Sequence, residues 1–516
     1  MPDTPAINKI YVLLTIVVGA FTGAVVLSAH HVADGDLWAK LAIGASVWLR
    51  GDVPRQDTFA FTPTLPKYID HEWGAGTVFY GLLRSGGPSA LMALKIILFL
   101  GAVGFALAVA RRRGVSWSVS LLLALPCAWT VLPGYVPTLR SHTFTYFFFA
   151  ALLLALEQIR SGWRTVAFVV PPLIWLWANL HGGFAAGLGT IGVYTVEAFV
   201  LRREKWIMLS IAAASMALSF LNPYGIDFWR YLIPALLHAR PRIAEWQPLP
   251  FWENDYYIGF RVLCLIVVAS LALGWRGVRD KSWSGLAMLA ITMFLGWRSR
   301  RHAPFFGVAA LAFVPQFLEA TLVRFRDFAD LRERVQPIAV VAVVYACLGA
   351  LLLSQFLPLA SWEILAPVGH DPVREADILS RAGLQGNLAV PFGWGCYASW
   401  RLYPQIKISH DGRYEAAYPE STFELNNAFF EKRGTNWDRL IREWPVDFVM
   451  LDLEHERVTP EDLMTRGYEL VWLQPRTSAL MVLARHAAIV RKVVDELPAT
   501  TINPLDADIP KRWFQR

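Results

Sequence analysis

From Ile10 to Ala29 no side chain carries a charge, and the run is long enough to cross a hydrocarbon layer as a helix. The same pattern recurs along the first two-thirds of the chain. Hydropathy predicts about eleven helices, near 9–29, 88–110, 115–132, 143–158, 165–180, 183–201, 206–221, 259–275, 284–297, 303–322 and 337–357. The first run is longer than a signal-peptide core and others follow it, so it reads as an uncleaved first helix. From about Pro358 the pattern changes. A helical period covers Val373–Arg381, a short apolar run covers Asn387–Pro391, and strand-like runs lie at Phe448–Leu451 and Ala479–Leu483. The expected fold is an α-helical polytopic membrane protein with a C-terminal α/β domain. The expected division is a membrane module over 1–357, with an outer loop at 30–73, and the α/β domain over 358–516.

Composition agrees. Of 516 residues, 55% are hydrophobic and 17% charged, and the mean hydropathy is +0.39; a soluble globular chain is excluded. The net charge of +7 does not indicate nucleic-acid binding, because the basic residues sit in short loops between apolar spans. Arg111-Arg112-Arg113, Arg160 with Arg164, Arg202 to Lys205, Arg276 to Lys281 and Arg324 to Arg334 fall on one side. By the positive-inside rule that side is cytoplasmic, which puts the N-terminus inside and the first loop and tail outside. The expected location is a membrane crossed many times. Cys127, Cys264 and Cys347 lie in apolar runs and Cys396 in the tail, with no metal-ligand spacing.

The opposite side collects chemistry. The first loop opens with Asp34-Gly35-Asp36 and closes with Asp70-His71-Glu72. Other helix ends bring Arg140, His181 within Asn179–Gly183, Asn222-Pro223-Tyr224-Gly225, the segment Arg240 to Asp255, and Arg298, Arg300, Arg301 and His302. Bundled helices can bring such ends to one cavity beneath the first loop. Acids above cations suit a site that binds a phosphate and activates a hydroxyl, because arginine's planar fork matches phosphate oxygens. Lys95, inside the second helix, is a further candidate counter-ion for lipid phosphate. Each feature also has a plain structural reading. Asp34 and Asp70 suit helix caps, outward arginines can snorkel, and Gly183 with Gly187 suits close helix packing. Asp411-Gly412-Arg413 reads first as a tight turn, and secondly as a contact for an acceptor. A transporter is disfavoured by the lack of internal repeats and by charges confined to helix ends. A non-catalytic assembly protein and a lipid-phosphate hydrolase use the same residue set and stay open.

The run Asp34-Gly-Asp-Leu-Trp38, Gly51-Asp-Val-Pro54, Asp57-Thr-Phe59, Asp70-His-Glu-Trp73, Asn179-Leu-His-Gly-Gly183, Asn222-Pro-Tyr-Gly225 and Glu245-Trp-Gln-Pro248 resembles the GT-C superfamily of integral-membrane glycosyltransferases. That superfamily includes protein O-mannosyltransferases and the lipid A aminoarabinose transferase; the likeness extends to multi-pass bacterial members. It implies transfer of a sugar from a polyprenyl-phosphate carrier to a glycan, lipid or protein acceptor on the outer face, with membrane lipids as surroundings. It implies catalytic roles for Asp34 or Asp36 and for Asp70, His71 and Glu72, while the placement of the helix-end cations themselves points to phosphate binding by Arg140, His181, Arg298, Arg300, Arg301 and His302, with Lys95 as the further candidate. A divalent ion, Mg²⁺ or Mn²⁺, on Asp36 and Glu72 is compatible with the family; the sequence requires none. Many members place prolines after the second acid, whereas this chain continues Glu72-Trp73-Gly74.

Overall fold

The computed structural model describes residues 5–136, 139–237, 243–252, 257–326, 337–366, 370–497 and 503–513. Helices run in the order α1 (Pro5–Ala29), α2 (Gly35–Arg50), α3 (Trp73–Arg112), α4 (Trp117–Val131), α5 (His142–Arg160), α6 (Val170–Leu180), α7 (Phe184–Val200), α8 (Lys205–Ser219), α9 (Ile226–Leu237), α10 (Ile258–Gly274), α11 (Trp283–Arg298), α12 (Ala303–Phe313), α13 (Pro315–Arg326) and α14 (Pro337–Phe356). The tail adds α15 (Val373–Ala382), β1 (Gly386–Ala389), α16 (Phe392–Leu402), β2 (Ile406–Ile408), α17 (Glu420–Phe430), α18 (Arg439–Glu443), β3 (Phe448–Asp452), α19 (Pro460–Met464), β4 (Tyr468–Gln474), β5 (Ser478–Leu483) and α20 (Ala484–Asp495). Each apolar window expected to be helical is helical. Among the described residues, six helices are long and apolar enough to cross a membrane, and a seventh span results if the pair α12–α13, bent by 51° before Pro315, counts as one. Proline at the bend removes a backbone donor, the usual cause of such a break. The chain is a multi-pass membrane protein; a count of eleven spans is not reached on length alone.

Two compact units share the chain. The first comprises residues 1–31 and 92–362, the second 32–91 and 363–516. The first loop, grouped with the membrane helices in the sequence reading, thus packs with the tail.

In the first unit α14 lies along α1. Tyr345 presses on Gly19, where an added Cβ would come within 2.7 Å of the ring, and its hydroxyl donates to Leu121 O at 2.8 Å. Several of the basic loops meet around one buried acid. Glu157 accepts from Arg113 at 2.8 Å and Arg160 at 3.1 Å, and from Tyr194 and Ser282 hydroxyls at 2.9 and 2.8 Å. Arg160 also reaches Asp280. Both carboxylate oxygens are thereby satisfied, as a buried charge requires.

The second unit is built on a five-stranded sheet ordered β2-β1-β3-β5-β4. Strands β2, β1 and β3 are parallel; β3, β5 and β4 are antiparallel. The run Phe448–Leu451, buried on both faces, is the central strand β3. The first loop covers the β2 edge: Ile408 N donates to Phe59 O and Phe61 N to Ile408 O, each at 3.0 Å. A covered edge offers no template for foreign strands. Helix α2, inside what reads as a polar loop, packs on α16. Trp38 stands between them, its indole donating to Asp371 at 3.1 Å and its ring edge-on to Tyr397.

Arg413 is the buried cation of this unit. Its guanidinium bonds Asp57, both oxygens of Asp411 at 2.8 to 2.9 Å, and the Tyr418 hydroxyl at 3.0 Å. Beside it His410 is fully buried, 4.2 Å from the Tyr418 ring centroid. Among the described residues neither of its ring nitrogens has a hydrogen-bond partner. Burial lowers its pKa from 6.5 to about 4; Asp411 opposes the shift and Arg413 adds to it.

Two outcomes are expected. Arg413→Met leaves Asp57 and Asp411 buried beside no cation and destabilises the unit by about 3–5 kcal/mol, read as a fall in melting temperature in detergent. For His410 the unfolded chain binds a proton below pH 6.5 while the folded one resists until about 4. Its contribution to stability is therefore complete above that window and lost as pH falls through it, on the order of 3 kcal/mol. His410→Phe should flatten this part of the pH–stability profile; an unchanged slope would refute the assignment.

Candidate functional site

The acids of the first loop lie at two helix starts in the second unit. Asp34 caps α2: its backbone is extended and its side chain accepts from Leu37 N at 3.3 Å. Asp36 occupies the first turn of that helix, where the helix dipole favours a carboxylate. The charges of Asp34 and Asp36 are felt by His370 and Cys396 respectively. Asp70 caps the chain entering α3: its Oδ1 accepts from Glu72 N at 2.9 Å.

Lys40, one turn after Asp36, joins the two motifs. Its Nζ lies 3.0 Å from Asp70 Oδ1 and 2.8 Å from Glu72 Oε2, with both Lys40 and Asp70 buried. Burial alone would lower the lysine pKa, but Asp70 and then Glu72 outweigh it and hold the group well above its ordinary value. His71 sits 3.6 Å from Glu72 Oε1. Burial lowers its pKa against the pull of Glu72, with Lys40 adding to the lowering, so its ring is neutral near pH 7. The close approach depends on glycine. A Cβ on Gly76 would stand 2.5 Å from Lys40 O, and one on Gly44 would stand 2.0 Å from Gly76 O.

The basic candidates lie in the first unit. Arg140, before α5, and Arg301, between α11 and α12, converge on one carboxylate, Glu245: the distances are 3.1 Å to Oε2 and 2.8 Å to Oε1. Arg301 also lies over the Trp246 ring at 5.0 Å. Backbone bonds hold this segment to the α11–α12 turn, from Arg300 N to Gln247 O at 3.1 Å and from Leu249 N to Trp297 O at 3.1 Å. Glu245 has a lowered pKa: burial raises it, but Arg301, His142 and Arg140 prevail.

His181 completes the group. Its Nδ1 accepts from Gly183 N at 2.9 Å and meets the Thr145 hydroxyl at 2.7 Å; that hydroxyl oxygen accepts from the Trp177 indole at 2.9 Å. A backbone N–H can only donate, so in the neutral ring the proton is on Nε2. Nε2 lies 3.4 Å from Arg301 Nη2. Two donors side by side do not bond each other; they suit one shared acceptor oxygen.

The remaining candidates divide. Arg300 is half-buried with its main chain in the turn just described, His302 packs its ring near Trp246 and Phe305, and Arg298 is exposed. Lys95 is engaged elsewhere: its Nζ donates to Leu27 O at 3.3 Å and His30 O at 2.6 Å, closing the C-terminal end of α1. Arg240 and Asp255 fall outside the described residues. Two residues of the site escaped the sequence reading as individuals, Lys40 and Glu245. The available signals were spacing, Lys40 four residues after Asp36 on one helical face, and a lone acid in the Glu245-Trp-Gln-Pro motif.

Among the described residues no group of three or more His, Cys, Asp and Glu side chains is arranged to hold a divalent cation. A lysine ammonium already contacts both Asp70 and Glu72, at hydrogen-bond lengths rather than the shorter metal–oxygen lengths. These residues do not fit a metal at the second acidic motif.

No protein-family model matches the chain, and no curated protein matches it by sequence. Solved structures match it in fold. The apo crystal structure of the Archaeoglobus fulgidus oligosaccharyltransferase superposes with a TM-score of 0.61 at 13% identity, covering 86% of this chain and 70% of that one. The same enzyme tethered to an acceptor peptide with an NVT sequon gives 0.58 at 13% identity, covering 86% and 69%. The mycobacterial arabinofuranosyltransferase AftD gives 0.56 at 14% identity, covering 94% of this chain and 40% of that one. This chain is similar in fold to these glycosyltransferases.

Glu245→Gln should leave Arg140 and Arg301 without their shared anion. With side chains about a quarter exposed, the loss is about 1 kcal/mol. Inorganic phosphate should raise the melting temperature of this variant more than that of the wild type. An equal response in both would show that the two arginines are not an anion site.

Proposed function

We propose that this protein is a membrane glycosyltransferase that moves a sugar from a polyprenyl-phosphate carrier to a hydroxyl-bearing acceptor on the extracytoplasmic face. The observation that carries the reading is the meeting of Arg140, Arg301 and His181 at the ends of separate helices, in a chain with this fold. Half-buried cations at helix ends, opposite to the end gathered around Glu157, serve a phosphate better than they serve topology.

In this reading Arg140 and Arg301 bind the donor phosphate and His181 donates through Nε2–H to one of its oxygens. The bond from the anomeric carbon to the phosphate oxygen breaks, and the negative charge left on the phosphate is met by donors already in position. Such preorganised electrostatic stabilisation is usually the largest single contribution to a rate. The acceptor hydroxyl attacks the anomeric carbon and gives its proton to a carboxylate. Asp36 is the base, because Asp34 is used as the α2 cap. General-base catalysis of this kind contributes about 10²–10⁴-fold. Asp70, Glu72 and His71 hold the loop beneath that base through Lys40. No step passes through a metal ion. The acceptor peptide belongs to the oligosaccharyltransferase alone.

Native mass spectrometry of protein released gently from membranes tests this. Wild type and Asp36→Asn should both carry a polyprenyl phosphate or its glycosylated form, with the glycosylated form accumulating in Asp36→Asn. Arg140→Ala should lose it. Ordinary phospholipid alone on all three would refute the carrier-dependent transferase.

A further inference from the structure

We propose that Lys40 is the resident cation of the second acidic motif, its ammonium holding the place between Asp70 and Glu72 that a divalent ion would otherwise take. Two carboxylates brought within one lysine's reach in a buried setting need a positive charge between them. The chain supplies it from its own α2, at 3.0 Å from Asp70 Oδ1 and 2.8 Å from Glu72 Oε2. A Mg²⁺ in that position would require oxygens at about 2.0–2.1 Å in octahedral array, and the lysine stem and head fill the space.

The arrangement is built rather than incidental. Lys40 sits mid-helix, its backbone carbonyl against Gly76, where a Cβ would approach to 2.5 Å. The start of α3 is thereby held at the distance that lets Nζ span both acids. Asp70 Oδ1 is oriented by a second donor, Glu72 N at 2.9 Å. One ammonium against two carboxylates leaves a net negative motif, whereas a divalent ion would cancel it. Lys40 is a positioning residue: it holds both acids in register without touching any reacting atom. The inference goes beyond the transfer reading, and its test reads cation binding rather than turnover.

The experiment uses the full-length protein in detergent, stripped with EDTA and titrated with Mn²⁺, followed by thermal unfolding and by the electron paramagnetic resonance signal of free Mn²⁺. Wild type should show no Mn²⁺-dependent rise in melting temperature attributable to the motif. Lys40→Ala, less stable without metal, should take up Mn²⁺ and regain several degrees, and Lys40→Ala with Glu72→Gln should lose that uptake. A folded Lys40→Ala that binds no Mn²⁺ overturns the proposal. So does a wild-type Mn²⁺ site that Glu72→Gln removes. If Lys40→Ala does not fold, the comparison of wild type with Glu72→Gln decides: equal Mn²⁺ uptake supports the proposal, and loss in the variant overturns it.

Discussion

A charge taken out of water must be neutralised where it comes to rest, and this protein is organised around that requirement. Four buried or half-buried centres meet it in the same way, each with at least one group distant in sequence. Glu157 is met by Arg113 and Arg160, Arg413 by Asp57 and Asp411, Lys40 by Asp70 and Glu72, and Glu245 by Arg140 and Arg301. Removing one partner would strand the other, so each centre ties its segments together more firmly than its net energy suggests. The ties decide which parts of the chain move as one.

The consequence is sharpest in the second unit. Residues 32–91 come early in the chain and 363–516 at its end, yet they share one core. The first loop lays Phe59–Phe61 along the β2 edge and sends Asp57 to Arg413. The acids proposed for chemistry therefore stand on a folded platform of helix starts, where Leu37 N holds Asp34 and Lys40 holds Asp70 and Glu72. Sites held by rigid elements keep their geometry better than sites on free loops.

In the first unit the same logic separates two kinds of arginine. Those around Glu157 and Asp280 close one end of the bundle and have ordinary structural partners. Arg140 and Arg301 share a single acid about a quarter exposed, with a histidine whose proton is directed beside them. Two guanidiniums on one carboxylate leave an excess of positive charge, which is what an incoming phosphate would meet.

What the sequence determined by itself was local. Apolar runs require helices, because backbone groups in an apolar setting must bond within their own segment; every expected window is helical. Val373–Arg381, Phe448–Leu451 and Ala479–Leu483 carried their periods plainly, and the cap reading of the first acidic pair holds at Asp34, whose side chain accepts from Leu37 N. Helix α2 did not, because its buried stretch from Leu37 to Ser46 is interrupted by Lys40, which reads as a solvated residue until its partners are known. Strands β2 and β4 were likewise hidden, one too short and the other half-exposed for a clear alternation. Only the tertiary structure decided that the first loop belongs with the tail, that Lys95 closes α1 rather than joining the other cations, and that Glu245 binds Arg140 to Arg301. Pairing between polar groups so far apart in sequence, 105 residues for Arg140 with Glu245 and 56 for Arg301, leaves no period in the chain, since it depends on distances that exist only after packing.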